Sequence, residues 1–157
     1  MRRCFQICCK RGIPLQEDIG NIPKYVPEIN QGRVIKVYDG DTITVAGYVK
    51  NNPQLFKFSV RLHGIDCPEI KSKKSNDKSE FRIACIAKEF VSNLILNKIV
   101  DLKNVSTDKY GRLLANVYFD NIHINDSLIE KKLAVEYDGG TKKVPSDWGL
   151  YYTNGTS

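Results

Sequence analysis

The hydrophobic period of this chain changes twice, and that change limits its architecture more than any other feature. Gly32 to Val37 sets apolar Val34, Ile35 and Val37 against polar Arg33 and Lys36, Asp39-Gly40 is a turn signal, and Thr42 to Val45 is again β-branched. The pattern predicts a hairpin whose turn is acidic. After an Asn-containing break from Gly47 to Pro53, Leu55 to Ile65 places Phe56, Phe58, Val60 and Leu62 on one face of a third strand, which carries Arg61 towards Asp66. From Ser79 the period lengthens. Ala84, Ala87, Val91, Leu94 and Ile95 recur three and four apart, with Ser79 as a candidate N-cap and Asn97 as a stop. Ile99 to Asn104 and Leu113 to Phe119 return to strand patterning, joined by the turn Thr107-Asp108-Lys109-Tyr110-Gly111-Arg112. Asn125 is a candidate cap for a short helix bearing Leu128, Ile129 and Leu133.

Five strands with interposed helices predict an α+β domain built on a closed five-stranded β-barrel of the OB kind with two or three helices. A chain of 157 residues that is 41% hydrophobic can bury one core, which places the domain at 31–157. Residues 1–30, with Pro14, Pro23 and Pro27, read as an extension. Residues 71–78 contain no apolar side chain and are expected to form a solvated loop. Beyond Ala134, Gly139, Gly140 and Pro145 interrupt the chain too often for another long helix. That segment is aromatic and basic: its Tyr137, Trp148, Tyr151 and Tyr152 either line a strand-binding surface or seal the core.

The cysteines are Cys4, Cys8, Cys9, Cys67 and Cys85, an odd set that does not make a disulfide framework. A zinc site at Cys4, Cys8 and Cys9 lacks a fourth ligand nearby. Arg2, Arg3, Lys10 and Arg11 beside them make S-acylation and membrane contact conceivable, though free thiols in a tail are the simpler reading. The first residues lack the apolar stretch of about 7 to 15 residues found in a secretory signal, and no window reaches the ~18 apolar residues of a membrane span. An intracellular, soluble chain is expected. Its net charge of +6 favours a polyanionic partner.

Two acidic turns carry the chemistry. Asp39-Gly40-Asp41 and Asp66-Cys67-Pro68-Glu69 supply four carboxylates, and Arg61 precedes Asp66 by five residues. Taken alone, the first motif also suits an ordinary hairpin turn. Hard oxygen donors of this kind select Ca2+, Mg2+ or Mn2+ over zinc. Cleaving a phosphodiester needs such a cation, an activated water and donors for the non-bridging oxygens. Arg112, in the Lys109-Tyr110-Gly111-Arg112 turn, is a candidate for a two-pronged phosphate contact.

The ordered segments DGDTITV, RLHGIDCPE and TDKYGRLLANVY resemble the staphylococcal thermonuclease family over roughly residues 31 to 137. The resemblance implies the same OB barrel and Ca2+-dependent hydrolysis of DNA and RNA, favouring single-stranded or flexible substrate and leaving 3′-phosphates. It implies one divalent cation on Asp41, Asp66 and the Cys67 carbonyl, with Asp39 as an outer carboxylate. Glu69 is then the residue that holds the attacking water and the proposed general base, and Arg61 and Arg112 bind the scissile phosphate. Lys109 and Tyr110 are expected at a neighbouring phosphate, and Tyr137 is the nearest candidate for base stacking. The stretch from Ala46 to Ser59 is longer than the family pattern, and the last long helix is reduced. His63 and His123 match no catalytic role and read as ordinary strand residues. The competing expectation is a catalytically silent OB-fold module that binds nucleic acid or protein. No obligate protein partner is evident, and a monomer is the default.

Overall fold

The computed structural model describes residues 21–70, 78–142 and 144–155. In chain order the elements are β1 (Gln31–Val37), β2 (Thr42–Tyr48), β3 (Leu55–Leu62), β4 (Ile65–Asp66), α1 (Lys78–Ile95) and β5 (Ile99–Thr107). They continue with β6 (Leu113–Phe119), β7 (Ile122–His123), α2 (Ile124–Glu130), β8 (Val135–Glu136) and α3 (Trp148–Asn154). Cys4, Cys8 and Cys9 lie outside the described residues. So does the expected loop, except that Lys78 already opens α1.

Five strands close into a barrel in the order β3-β2-β1-β5-β6, sealed by parallel pairing of β3 with β6 at Val60↔Leu113, Arg61↔Leu114 and Leu62↔Ala115. Closure leaves these strands no free edge to pair with another chain. The inward set is the apolar set of the sequence: Val34, Ile43, Val45, Val60, Leu62, Val100, Leu102, Ala115 and Val117 are all buried. One face of α1, with Ile83, Ala84, Ala87, Val91 and Ile95 buried, caps the barrel. Each of these larger side chains contributes roughly 1.5–3 kcal/mol by leaving water.

Strict alternation in β1 would bury Val34 and expose Val37. The register between β1 and β2 slips between Val34 and Lys36, so that Ile35 is the extra residue of a bulge and Val37 returns to the core. Packing begins before β1. Ile29 is in the core, the Leu102 amide donates to the Asn30 carbonyl, and a Cβ on Gly47 would stand 2.6 Å from Ile29 Cδ1.

Two local expectations need correction. Asn125 does not cap α2: His123 holds that position without a side-chain cap bond, and Asn125 is buried within the helix. Its Oδ1 accepts from the Val117 amide, and its Nδ2 donates to the carbonyls of His63 and, at the limit of bonding distance, Ala115. A buried amide here satisfies backbone groups of two segments, which is a brace rather than a cap. Ser79 lies inside the first turn of α1 rather than before it, and its hydroxyl donates to Asp147. Asp147 is the N-cap of α3, accepting from the amides of Gly149 and Leu150.

Of the two alternatives for the C-terminal aromatics, Trp148 takes the structural one. It is buried, meets the Tyr151 ring edge-on at 5.8 Å and closes the core beneath α1. No helix among the described residues is long and apolar enough to cross a membrane.

Candidate active site

Strand pairing brings the two acidic turns together. Thr42 faces Arg61 across β2 and β3, and the Leu62 amide donates to the Asp41 carbonyl, so the first turn is fixed against the end of the third strand. Asp66 is held from the other side by β4, which pairs with β8 through Asp66↔Val135. Gly40 is required by space. A Cβ there would lie 2.8 Å from both the Ala87 Cβ and the Cys67 Sγ, so the acidic turn, α1 and the second acidic turn meet at this one residue.

The resulting cavity, of about 580 Å³, is lined by Asp39, Asp41, Arg61, Asp66, Cys67, Glu69 and Arg112, with Lys36 and Lys88 among its other walls. Arg61 sits between two buried aspartates. Its Nη1 is 2.7 Å from Asp41 Oδ2, and its Nη2 is 2.6 Å from Asp66 Oδ1 and 3.3 Å from the Ile65 carbonyl. Asp41 also accepts from the Thr42 hydroxyl and the Cys67 amide. Burial alone would weaken the charge on Arg61, but Asp41, Asp66 and Asp39 reverse this and hold the guanidinium above its ordinary range.

Arg112 is held differently. Asp108 Oδ1 accepts from the amides of Tyr110 and Arg112, and its Oδ2 accepts from Arg112 Nε at 2.7 Å. Burial would push the Asp108 carboxyl up, but these bonds keep it below its ordinary value. Gly111, at φ +82°, makes the tight return that lets one carboxylate grip both sides of the turn. The terminal nitrogens of Arg112 have no hydrogen-bond partner among the described residues and remain available to a ligand.

The other sequence candidates are less central. Tyr110 is exposed, and its ring stands beside the Arg112 guanidinium at 5.6 Å and Lys109 Nζ at 5.1 Å. Lys109 and Tyr110 do not line the cavity, and neither does Tyr137, whose hydroxyl donates to the Gly140 carbonyl. Sequence reasoning missed Lys142. Its ammonium lies 3.0 Å from Asp66 Oδ1 and 3.2 Å from Glu69 Oε1, carried there by the turn that follows β8. Nothing in the local pattern marks Lys142 as a residue that reaches the two carboxylates.

The donor set suits a hard divalent cation. Among the described residues no three acidic, His or Cys side chains converge as a ready-made metal shell. The carboxylates are nonetheless crowded. Asp39 Oδ1 is buried without a partner, and burial together with neighbouring Asp41 pushes its carboxyl up from 3.8 to about 6. Such crowding marks a place where added positive charge is stabilising, and oxygen donors supplemented by water fit Ca2+ or Mg2+. The thiol of Cys67 is a poor ligand, because burial and then Asp41, Asp39 and Asp66 push it well above its ordinary range and keep it protonated.

Residues 59–148 match the family model described as staphylococcal nuclease homologue. The chain is 36% identical over 110 residues to an "Uncharacterized endonuclease" of Haemophilus influenzae, covering 70% of this chain and 54% of that one. It is 33% identical over 129 residues to an uncharacterized protein of Methanocaldococcus jannaschii, covering 68% and 58%. An "Uncharacterized endonuclease" of Escherichia coli O157:H7 is 30% identical over 130 residues, covering 82% and 74%. The chain thus spans little more than half the length of the first two relatives. With a matching domain over more than half of its residues, on a closed OB-type barrel, the chain belongs to the staphylococcal nuclease homologue family.

Proposed function

We propose that the chain is an endonuclease that hydrolyses phosphodiester bonds of DNA and RNA, with single-stranded or flexible strands preferred and 3′-phosphates as products. The observation that carries this reading is the cavity in which Arg61, clamped by buried Asp41 and Asp66, shares a wall with Glu69 and Arg112. The names of the bacterial relatives support it.

In this reading Arg61 and Arg112 bind the non-bridging oxygens of the scissile phosphate, one from the barrel and one from the β5–β6 turn. Glu69, whose carboxylate is exposed at the rim, holds the attacking water and receives its proton. Positioned cationic donors of this type are each worth roughly 10²–10³ in rate when removed from a site that excludes water. Asp41, Asp66 and the Cys67 carbonyl would hold one divalent cation, Ca2+ or alternatively Mg2+ or Mn2+, with Asp39 behind them. When bound, it would supply Lewis-acid polarisation of a phosphate oxygen and offset the acidic cluster. Lys142 must leave Asp66 and Glu69 for that, and its ammonium is then free to meet the substrate's phosphates.

A silent binding module is the weaker reading, because a cavity that only binds phosphate has no need of four carboxylates, which weaken its hold on the ligand until a metal offsets them. The test is cleavage of a labelled single-stranded DNA by purified chain in Ca2+, Mg2+ and Mn2+ against a chelator. Cleavage that the chelator abolishes and that leaves 3′-phosphate ends supports the proposal; binding without cleavage in all three metals overturns it.

A further inference from the structure

We propose that a second cavity beside the candidate active site is a subsite in which a base of the bound strand stacks, so that the nucleic acid runs from Arg61 along β3 to the β2–β3 hairpin. The proposal rests on the nuclease reading above, which supplies the strand. The cavity, of about 590 Å³, lies between residues 24–27, β3 and the β5–β6 turn. Its walls include the rings of Tyr25, Phe56 and Phe58 and the ammonium-bearing chains of Lys24, Lys57 and Lys109.

Three observations favour a polynucleotide as its occupant. The first is charge. Three lysines surround the aromatics, and the acidic residue of the lining, Asp108, already has both carboxylate oxygens engaged by Arg112 and the Tyr110 amide. Rings inside a cationic rim are the composition that binds single strands, since any base offers a π-face and every link a phosphate. The second is continuity. Ser59 lines both cavities, and the β5–β6 turn divides them, with Arg112 on one side and Lys109 on the other. Lys57, Ser59 and Arg61 are alternate residues of β3, so they share a face and carry positive charge over roughly 13 Å from one cavity to the next.

The third is the state of the aromatics. Tyr25 is 77% exposed, so its ring is open to a stacking partner. Phe58 is packed against the core, and Phe56 leans on it at 6.3 Å between ring centres, so one wall of the cavity is anchored. Of the C-terminal rings, Trp148 is in the core with Tyr151 packed against it, so these two do not offer the same platform. Tyr25 comes from the segment before β1, and Phe56 and Phe58 come from the start of β3, within the stretch from Ala46 to Ser59 that is longer than the family pattern.

The test uses the full chain in chelator, where binding is read without cleavage, and fluorescence anisotropy with thymidine oligonucleotides of three and twelve nucleotides. Wild type should bind the twelve-mer roughly a hundredfold more tightly than the trimer, about tenfold because the longer strand offers more registers and about tenfold because one further base stacks. Tyr25→Ala and Lys57→Ala should each remove most of the second factor. Lys57→Ala should also lower the slope of log affinity against log salt by about one, whereas Tyr25→Ala should leave the slope unchanged. Tyr48→Ala, on the same hairpin and 61% exposed but lining neither cavity, is the control and should bind as wild type does. Equal twelve-mer affinity in wild type, Tyr25→Ala and Lys57→Ala overturns the subsite, whether the cavity then takes a peptide or nothing. Cleavage of the twelve-mer by wild type in Ca2+, Mg2+ and Mn2+ separates the two claims: a chain that cuts but ignores Tyr25 loses the subsite alone, and one that needs Tyr25 to bind but never cuts loses the nuclease reading.

Discussion

Arg61 and Arg112 line the same cavity and are both bound to aspartate, yet they are held by opposite means. Arg61 is clamped by Asp41 and Asp66, which reach it from two turns that only the closed barrel brings together. Arg112 is held by Asp108, four residues away in its own turn. One arginine is a product of the fold and helps to keep it; the other is a product of local turn chemistry and can be removed without touching the core. A single phosphate would be gripped by one group whose position is global and one whose position is local.

The comparison breaks first under substitution. Arg61→Gln leaves two buried carboxylates without their partner, a change that costs about 3–5 kcal/mol, and it also removes a phosphate ligand. Arg112→Gln should cost under about 1 kcal/mol of stability, because its pair is local and partly solvated, while lowering cleavage by roughly 10²–10³. Urea unfolding and single-turnover cleavage of both variants decide the matter. Equal stability losses would show that the two arginines are held alike. Gly40→Ala should be felt next. Its new methyl would meet Ala87 and Cys67 at 2.8 Å, with an overpacking cost of about 1–3 kcal/mol, and thermal unfolding should show it before any assay does.

Lys142 sharpens the contrast on the side of Arg61. Its ammonium competes with a metal for Asp66 and Glu69, so Lys142→Ala should bind Ca2+ a few-fold more tightly by calorimetry. Unchanged binding would mean that the lysine leaves at no cost, and weaker binding that it does not compete with the metal. The smallest effect concerns Asp39. Its raised carboxyl binds a proton more tightly folded than unfolded, so its contribution to stability is present below about pH 4 and is lost as pH rises through about 6. Denaturant midpoints of metal-free protein across that window should fall for wild type and fall less for Asp39→Asn. Millimolar Ca2+ should flatten the wild-type slope.

The barrel was legible because its strands alternate and its helix does not, and the period carries the inward face of each element. The second acidic turn could be placed at the end of the third strand beyond Arg61, but the pairing of Thr42 with Arg61 across β2 and β3 was not legible. What remained hidden was set by contacts between distant segments. Asn125 has the composition of a cap, but a buried amide opposite the His63 and Ala115 carbonyls serves as a brace, and no local pattern distinguishes the two. Ile29 lies in a proline-flanked stretch without periodicity, and only the absent side chain of Gly47 makes room for it. Lys142 depends on how a glycine-rich turn leaves β8. The bulge at Ile35 was also unreadable from alternation, because it is the device by which alternation is restored.

The most direct measurement is single-turnover cleavage of labelled single-stranded DNA in millimolar Ca2+ by wild type and by Glu69→Gln. Glu69 is at the rim, exposed and paired with Lys142, so its loss should leave the fold intact and act on the chemistry alone. The account expects chelator-sensitive cleavage that falls by about 10²–10⁴ in the variant, the usual weight of a general base. A Glu69→Gln protein that cuts as fast as wild type, or a wild type that binds the strand and leaves it whole, would contradict it.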